Sequence, residues 1–559
     1  MIFIFLLLNS DTTAVDTNLY EIPEIIDYEP VFRPLIEIKL NDFDALLPEA
    51  LLPLPLTILQ CGYGRLSFIN PHPVVFGFKD IYLNGHPLNN EPSGYFNLNL
   101  IPAHFFKKVT LSTDFSGPCI NLCSRVNESP RPFSYIRYGN GDFEENLYNF
   151  GLARPLSDKT GIYIDGLYHK YVGLSLNQNF QLFSIYTNLY NNHFLPMRLD
   201  IFYSTNEHNA LIDSLIDGTE NFFDLDLTVQ KGRHKVCLNY NATKTPFYAL
   251  KKYWLSTTAD YNIRLCNLIW KFSGTWAQIE NSGFNPGNRY LIDAGIRLAR
   301  SLGRFSISSF GYGAHTDMGD HYYPGIELGF YLSDSCLFNF YLYKNFQEPS
   351  WIQTRAAVDT FFPLFKLKGN EELVPSTIFY QGFRAQTPYI FLDLYRINYE
   401  NGMMVFPDSN DFYIYKNCSL IPSTGLSGYL NLPLEFSDVD TNTTTRISVK
   451  FSGYHLFKAD SFVFTPRDLL KIETRLSRET KRFGITLRLW YKRFGTTFNV
   501  NRNEIDGFQT VSGGAGFRFI NLYLYLRATN LLNLTYSYIP QYEMPQRRFS
   551  FTIKWEFWD

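Results

Sequence analysis

The chain has 559 residues, a net charge of −3 and a pI ≈ 6.4, which leaves no electrostatic footprint for nucleic acid. Aromatic residues reach 17% while charged residues stay at 18%, a balance that argues against a soluble domain and suits a transmembrane β-barrel, which needs an apolar outer band, aromatic girdles and a polar interior. No apolar run approaches the ~20 residues that a membrane-spanning helix requires.

Residues 1–8 form the longest apolar run and, with the polar stretch after them, read as a signal-peptide core over 1–14, although no positive charge precedes it. Residues 15–49 are acidic and irregular. Pro23, Pro30 and Pro34 disfavour a continuous helix, so an extended segment is expected, able to add a strand to another protein's sheet edge. Residues 50–130 read as a small α+β unit. Pro53 and Pro55 break 51–59, and Ile81-Tyr82-Leu83 leads into Asn84-Gly85, the strongest short hairpin signal. The seven cysteines are an odd count, which argues against a disulfide framework. Cys119 and Cys123 are close enough in sequence to be read either as a loop disulfide or as two thiols.

From 131 to the end the pattern becomes period 2. Phe223, Leu225, Leu227 and Val229 alternate with Asp224, Asp226, Thr228 and Gln230, and Phe483, Ile485, Leu487 and Leu489 with Gly484, Thr486 and Arg488. One face of each strand is apolar and the other polar, which in a barrel means lipid outside and a wet lumen inside. Tight connections at 157–161, 231–233, 301–304 and 478–482 alternate with long ones at 206–219, 345–377 and 494–507, giving one short-turn rim and one loop rim. The span holds about 22 strands. In the last of them Phe549, Phe551, Ile553, Trp555 and Phe557 share a face, and such a strand leaves an open hydrophobic edge unless it closes onto the first. A soluble array of β-sandwiches or a propeller would need repeat periods that are absent.

Three stretches then resemble one family, the TonB-dependent outer-membrane receptors. Residues 79–90, with Asp80, Asn84, Gly85, Pro87 and Asn89, resemble the family's plug, and 43–48 its early helix. Pro349-Ser350 with Gly369, Asn370, Leu373 and Pro375 is similar to the mid-barrel loop. Asn530-Leu531, Tyr536, Pro545 and Arg547 look like the closing hairpin. The chain departs from the pattern in lacking an Ile-Arg-Gly triplet in the plug, and Gln546 stands where the family has Gly. The resemblance implies a membrane all-β fold, an antiparallel barrel of about 22 strands over 131–559 with a plug domain at 50–130 in its lumen, in the outer membrane and against its lipid. It implies a receptor that imports a scarce small molecule or oligosaccharide, with TonB and its proton-driven motor as partner. Tyr20, Glu21, Ile22, Pro23, Glu24, Ile25 and Ile26 stand where the TonB box is expected. The alternative is a plugged or passive outer-membrane porin or adhesin-like barrel without TonB coupling.

Nothing points to catalysis or to a cofactor: no Ser/His/Asp or paired-carboxylate constellation stands out, and 511–516 lacks the helix of a phosphate loop. Asp224 and Asp226 read as solvated lumen wall. His315, Asp317, Asp320 and His321 read as loop polarity, with a metal site the weaker option.

Overall fold

A computed structural model describes residues 34–40, 44–61, 63–69, 80–88, 96–114, 117–126 and 131–558, the last span without 158, 174–178, 193–194, 209–217, 246–248, 264–265, 281–286, 334, 356–359, 363–364, 409–411, 439–442, 458–463, 500 and 540–541. The expected signal segment, the expected TonB box at 20–26 and Asn89 lie outside the described residues.

The C-terminal span closes into a 22-stranded antiparallel barrel. Its last strand, Arg548–Trp558, pairs on one side with Leu522–Thr529 and on the other with the first, Phe133–Gly141, so the expected closure holds and no edge remains. Phase decides which side chain faces where. Along Gly218–Lys231, Asp224, Asp226 and Thr228 are fully buried inside while Phe223, Leu225 and Leu227 turn outward. In the last strand Phe549, Phe551, Ile553 and Trp555 lie on the outer surface, and Arg548 and Lys554 are buried on the inner one. An apolar outer band and a polar interior are what lipid on one side and protein or water on the other select.

Tight turns close one rim, as between Lys231 and His234, Leu302 and Phe305, Glu479 and Phe483, and Phe519 and Leu522. The other rim carries the long connections, between Gln347 and Ser376, Leu456 and Asp468, Phe494 and Phe508, and Thr529 and Arg548. The expected loop at 345–377 is not plain loop. It holds the helix Trp351–Arg355 and the hairpin Thr360–Phe362 and Phe365–Lys368, whose second strand adds in parallel to Tyr413–Asp438. That long strand outreaches its neighbour Thr443–Leu456 at this rim, and the added strand covers part of the edge left open.

The N-terminal unit sits in the bore. Among the described residues its strands are β1 (Ile36–Lys39), β2 (Ile58–Cys61), β3 (Leu66–Ile69), β4 (Asp80–Leu83), β5 (His86–Pro87), β6 (Phe106–Asp114) and β7 (Gly117–Ser124), with one short α-helix, α1 (Leu47–Ala50), and two 3-10 turns. One sheet runs β1-β6-β7-β4-β5 and β2 pairs with β3. Leu54, Leu83, Leu98, Val109, Leu111, Ile120 and Leu122 form the centre of an apolar cluster that continues without a break into Tyr186, Phe202, Phe222, Ile279, Ile397 and Leu456 of the wall. Plug and barrel thus share a core, and the plug fills the lumen. Cys119 and Cys123 both lie on β7, about 13 Å apart along an extended strand, which excludes a disulfide between them.

Candidate functional site

The site is the plug where it meets the wall, together with the loop rim above it. Asn84 and Gly85 make the β4–β5 turn with φ of +52° and +94°, the left-handed pair that an Asn-Gly hairpin provides. Asn84 is buried and its Oδ1 accepts from the Ser124 backbone N–H (3.1 Å) and hydroxyl (3.0 Å), tying the turn to the end of β7. The turn pushes His86 into the wall, where Nε2 lies 3.1 Å from Asp224 and Nδ1 3.6 Å from Asp226, all three fully buried. Asn239 donates to Asp224 at 2.9 Å, and the Lys252 ammonium donates to the Pro87 carbonyl at 3.0 Å. Burial alone would lower the His86 pKa, but the Asp224 and Asp226 carboxylates outweigh both burial and Lys252, and it stands above its ordinary value. The reading of Asp224 and Asp226 as solvated lumen wall is therefore corrected: the plug lies against this wall and makes them its buried partners. Asp80 is the first residue of β4.

A second histidine behaves oppositely. His104 lies 3.3 Å from Asp165 and 3.0 Å from the Asn149 amide, yet burial, aided by Arg137 and Arg125, outweighs Asp165 and depresses its pKa. On the facing sector of wall the signs reverse, with acids on the plug and cations on the barrel. Arg488 donates to both oxygens of Asp44 (3.0 and 3.1 Å) and also pairs with Glu473 at 3.1 Å. Arg527 grips Glu49 of α1 with two bonds of 2.8 Å. Burial would raise the Glu49 carboxyl, but Arg527 outweighs it and holds the pKa below the usual carboxylate value. Lys471 donates to the Leu54 and Leu56 carbonyls at 2.8 and 2.9 Å, and Thr57 bonds the Tyr454 hydroxyl.

Towards the loop rim, Gly64 (φ +68°) passes so close to Phe180 that a Cβ would sit 2.1 Å from its ring. Beside it Tyr63 donates to Glu145 at 3.2 Å and carries the Arg548 guanidinium 3.7 Å above its ring. Ser350 and Gln353 cap the helix Trp351–Arg355 reciprocally: the Ser350 N–H donates to Gln353 Oε1 (2.8 Å) and the Gln353 N–H to Ser350 Oγ (3.4 Å). The guanidiniums of Arg289 and Arg355 both lie over the Trp351 ring, 5.6 and 4.5 Å from its centre. Asn370 donates to the Tyr415 carbonyl at 2.9 Å, next to buried Leu373, so Gly369-Asn370 through Pro375 straps the long loop onto the tall strand Tyr413–Asp438. Asn530 folds the closing connection, donating to the carbonyls of Leu534 (2.7 Å) and Pro545 (3.2 Å), while Leu531 bonds back to Val511. Tyr536 stacks near Phe508, and the Arg547 N–H donates to Asn533 at 2.9 Å.

The described motif residues of the loops and of the plug are thus brought to separate places rather than to one pocket. The four loop-polar residues also part company. His315 pairs with Asp320 on the exposed surface (2.6 Å), Asp317 faces Arg289 (3.7 Å), and His321 stacks on Phe346 with ring centres 4.2 Å apart. Sequence reasoning did not single out His86, His104, Asp44, Glu49 or Arg527. For the wall residues the available signal was strand phase, which turns Arg527 inward as it does Arg488.

A closed 22-stranded barrel with its N-terminal unit lodged in the bore is the fold of the TonB-dependent receptors, as the resemblance implies. No family profile matches the sequence, and no curated protein does. Solved structures match over nearly the whole chain. The siderophore receptor PirA from Acinetobacter baumannii is 13% identical, with a TM-score of 0.71 over 93% of this chain and 98% of its own. A variant of the ferric enterobactin receptor PfeA from Pseudomonas aeruginosa, bound to enterobactin, is 13% identical with a TM-score of 0.71 over 94% and 100%. The FrpB iron transporter from Neisseria meningitidis is 9% identical with a TM-score of 0.70 over 95% and 100%. At these identities the likeness is one of fold.

Proposed function

We propose that this chain is an outer-membrane uptake receptor. It captures a scarce, bulky cargo at the loop rim, which faces outward, and delivers it at the short-turn rim, which faces the periplasm. A ferric siderophore is the first cargo class to test, because the solved structures sharing this fold include siderophore receptors and an iron transporter. Bound lipid surrounds the apolar outer band. One observation carries the reading: the plug shares its core with the wall and is held on opposite sides by buried ion pairs, so the bore does not pass a bulky solute until the plug moves. The outer membrane offers no ATP, so the work comes from elsewhere. In this reading TonB adds a strand to the extended segment Tyr20–Glu21–Ile22–Pro23–Glu24–Ile25–Ile26 and draws on the plug.

The test separates binding from transport. Deleting residues 20–26 should abolish energised uptake of radiolabelled ferric siderophores by whole cells while cell-surface binding stays at the wild-type level. Undiminished uptake would return the chain to the passive-porin reading. Absence of binding by the intact receptor would remove this cargo class.

A further inference from the structure

Two cavities stack against one sector of the wall, the strands Asp468–Glu479, Phe483–Phe494, Phe508–Phe519 and Leu522–Thr529. The upper one, about 90 Å³, lies beneath the closing connection, with Glu49, Tyr63, Trp490, Lys492, Arg527 and Arg548 among its walls. The lower one, about 440 Å³, lies towards the short-turn rim between the plug's Leu40 and Arg125 and the wall's Arg475, Glu479, Arg518 and Tyr523. The wall there is pared back by Gly484, Thr486 and Gly516, which leaves the room.

The lower chamber is cationic, with three arginines against one glutamate. Two of the three are poorly matched. Among the described residues the Arg475 side chain makes no hydrogen bond and no ion pair. Arg518 donates to the Thr480 carbonyl, but its Nε is buried without an acceptor. A guanidinium without an acceptor beside a cavity is a place where an anion is stabilised.

Between the cavities runs a belt of two plug–wall ion pairs, Asp44 with Arg488 and Glu49 with Arg527. Both guanidiniums lie over the Trp490 ring, 4.9 and 5.3 Å from its centre. Glu49, Arg527 and Trp490 border the upper cavity, and Arg488 stands directly opposite Arg475 of the lower one in the strand register. Both acids come early in the plug, just after β1, whereas the latch on the facing wall, His86 with Asp224 and Asp226, comes later. Tension entering from the N-terminus reaches Asp44 and Glu49 first. When they leave, the belt opens, Arg527 loses its counter-charge and Arg488 keeps Glu473 alone. One displacement both connects the cavities and exposes a run of guanidiniums down the wall.

We propose that the lower chamber is a release site for an anionic cargo, one presenting carboxylate or other oxyanion groups, and that the Asp44 and Glu49 belt is the gate in front of it. The direction of travel rests on the uptake reading above; the gate and its charge selectivity do not.

The test therefore uses the purified full-length chain in planar bilayers, without partner or cargo. Asp44→Asn with Glu49→Gln should raise the leak conductance about tenfold, and the reversal potential in a KCl gradient should report anion selectivity. Asp393→Asn, which removes a buried acid paired with Arg384 within the wall (3.4 Å), should leave the leak low. Citrate added from the short-turn side should block the leak, and Arg475→Gln with Arg518→Gln in the opened background should abolish the block and most of the selectivity. Heat-modifiable mobility on SDS gels verifies that each barrel is folded. An unchanged leak, a cation-selective leak, an equal leak from the Asp393 variant, or citrate block that survives loss of both arginines would overturn the proposal.

Discussion

At the scale of single residues, the two buried histidines show how the plug is held. His86 faces Asp224, Asp226 and Asn239, with Lys252 opposing from the neighbouring strand and the Trp254 ring 6.0 Å away. Its pKa is raised in the folded state, so its contribution is complete below the unfolded value of about 6.5 and is lost as pH rises through the folded value. His104, with its pKa depressed, makes the opposite contribution and resists charging. The plug's resistance to urea, read by limited proteolysis of its strands, should therefore fall as pH rises from 6 towards 9. His86→Gln should be weaker than wild type at pH 6 and should lose that part of the slope. A slope that persists in the variant would transfer the pH dependence to another group.

At the scale of elements, the Asn84-Gly85 hairpin and the loop at Gly64 separate two reasons for glycine. Around Gly85 nothing lies within 4 Å of a built Cβ, so only the positive φ opposes a side chain. Gly85→Ala should destabilise the plug by about 1 kcal/mol. At Gly64 the same conformational strain adds to a collision with the buried Phe180 ring. Gly64→Ala should cost more, and Phe180→Ala should recover part of the difference; both can be read from the denaturant midpoint of plug proteolysis. Much at this scale was legible in the sequence. The hairpin followed from Asn-Gly, and the facing of Asp224 against Leu225 or Arg488 against Leu487 followed from period 2, because a strand admits just two directions for a side chain. What phase does not encode is a partner. Arg488 was visibly inward, but Asp44 is 444 residues away in sequence and lies in a stretch with no periodicity to place it. Nor could 345–377 be read: its helix of five residues and its hairpin are too short for a periodic signal, and they are fixed by tertiary contacts such as Asn370 with Tyr415.

At the scale of the molecule, barrel and plug depend on each other unequally. The barrel's backbone bonds are complete in itself, since its last strand pairs with its first and no strand of the ladder needs the plug for an edge. Its inner charges, Asp224, Arg488, Arg527 and Lys471 among them, are buried and each has a partner on the plug. Removing the plug exposes them to water, where an ion needs no partner, rather than to lipid, where it would. The plug has no such independence. Its sheet has five strands, one only two residues long, and its apolar centre is completed by wall residues such as Tyr186, Phe202 and Phe222. A chain lacking residues 34–130 should therefore still insert as a closed barrel, migrating faster unheated than boiled on SDS gels, and should conduct as a wide open pore. The isolated segment 34–130 should show no cooperative unfolding transition by circular dichroism. A plug-free barrel that stays unfolded, or an isolated plug that unfolds cooperatively, would reverse that order of dependence.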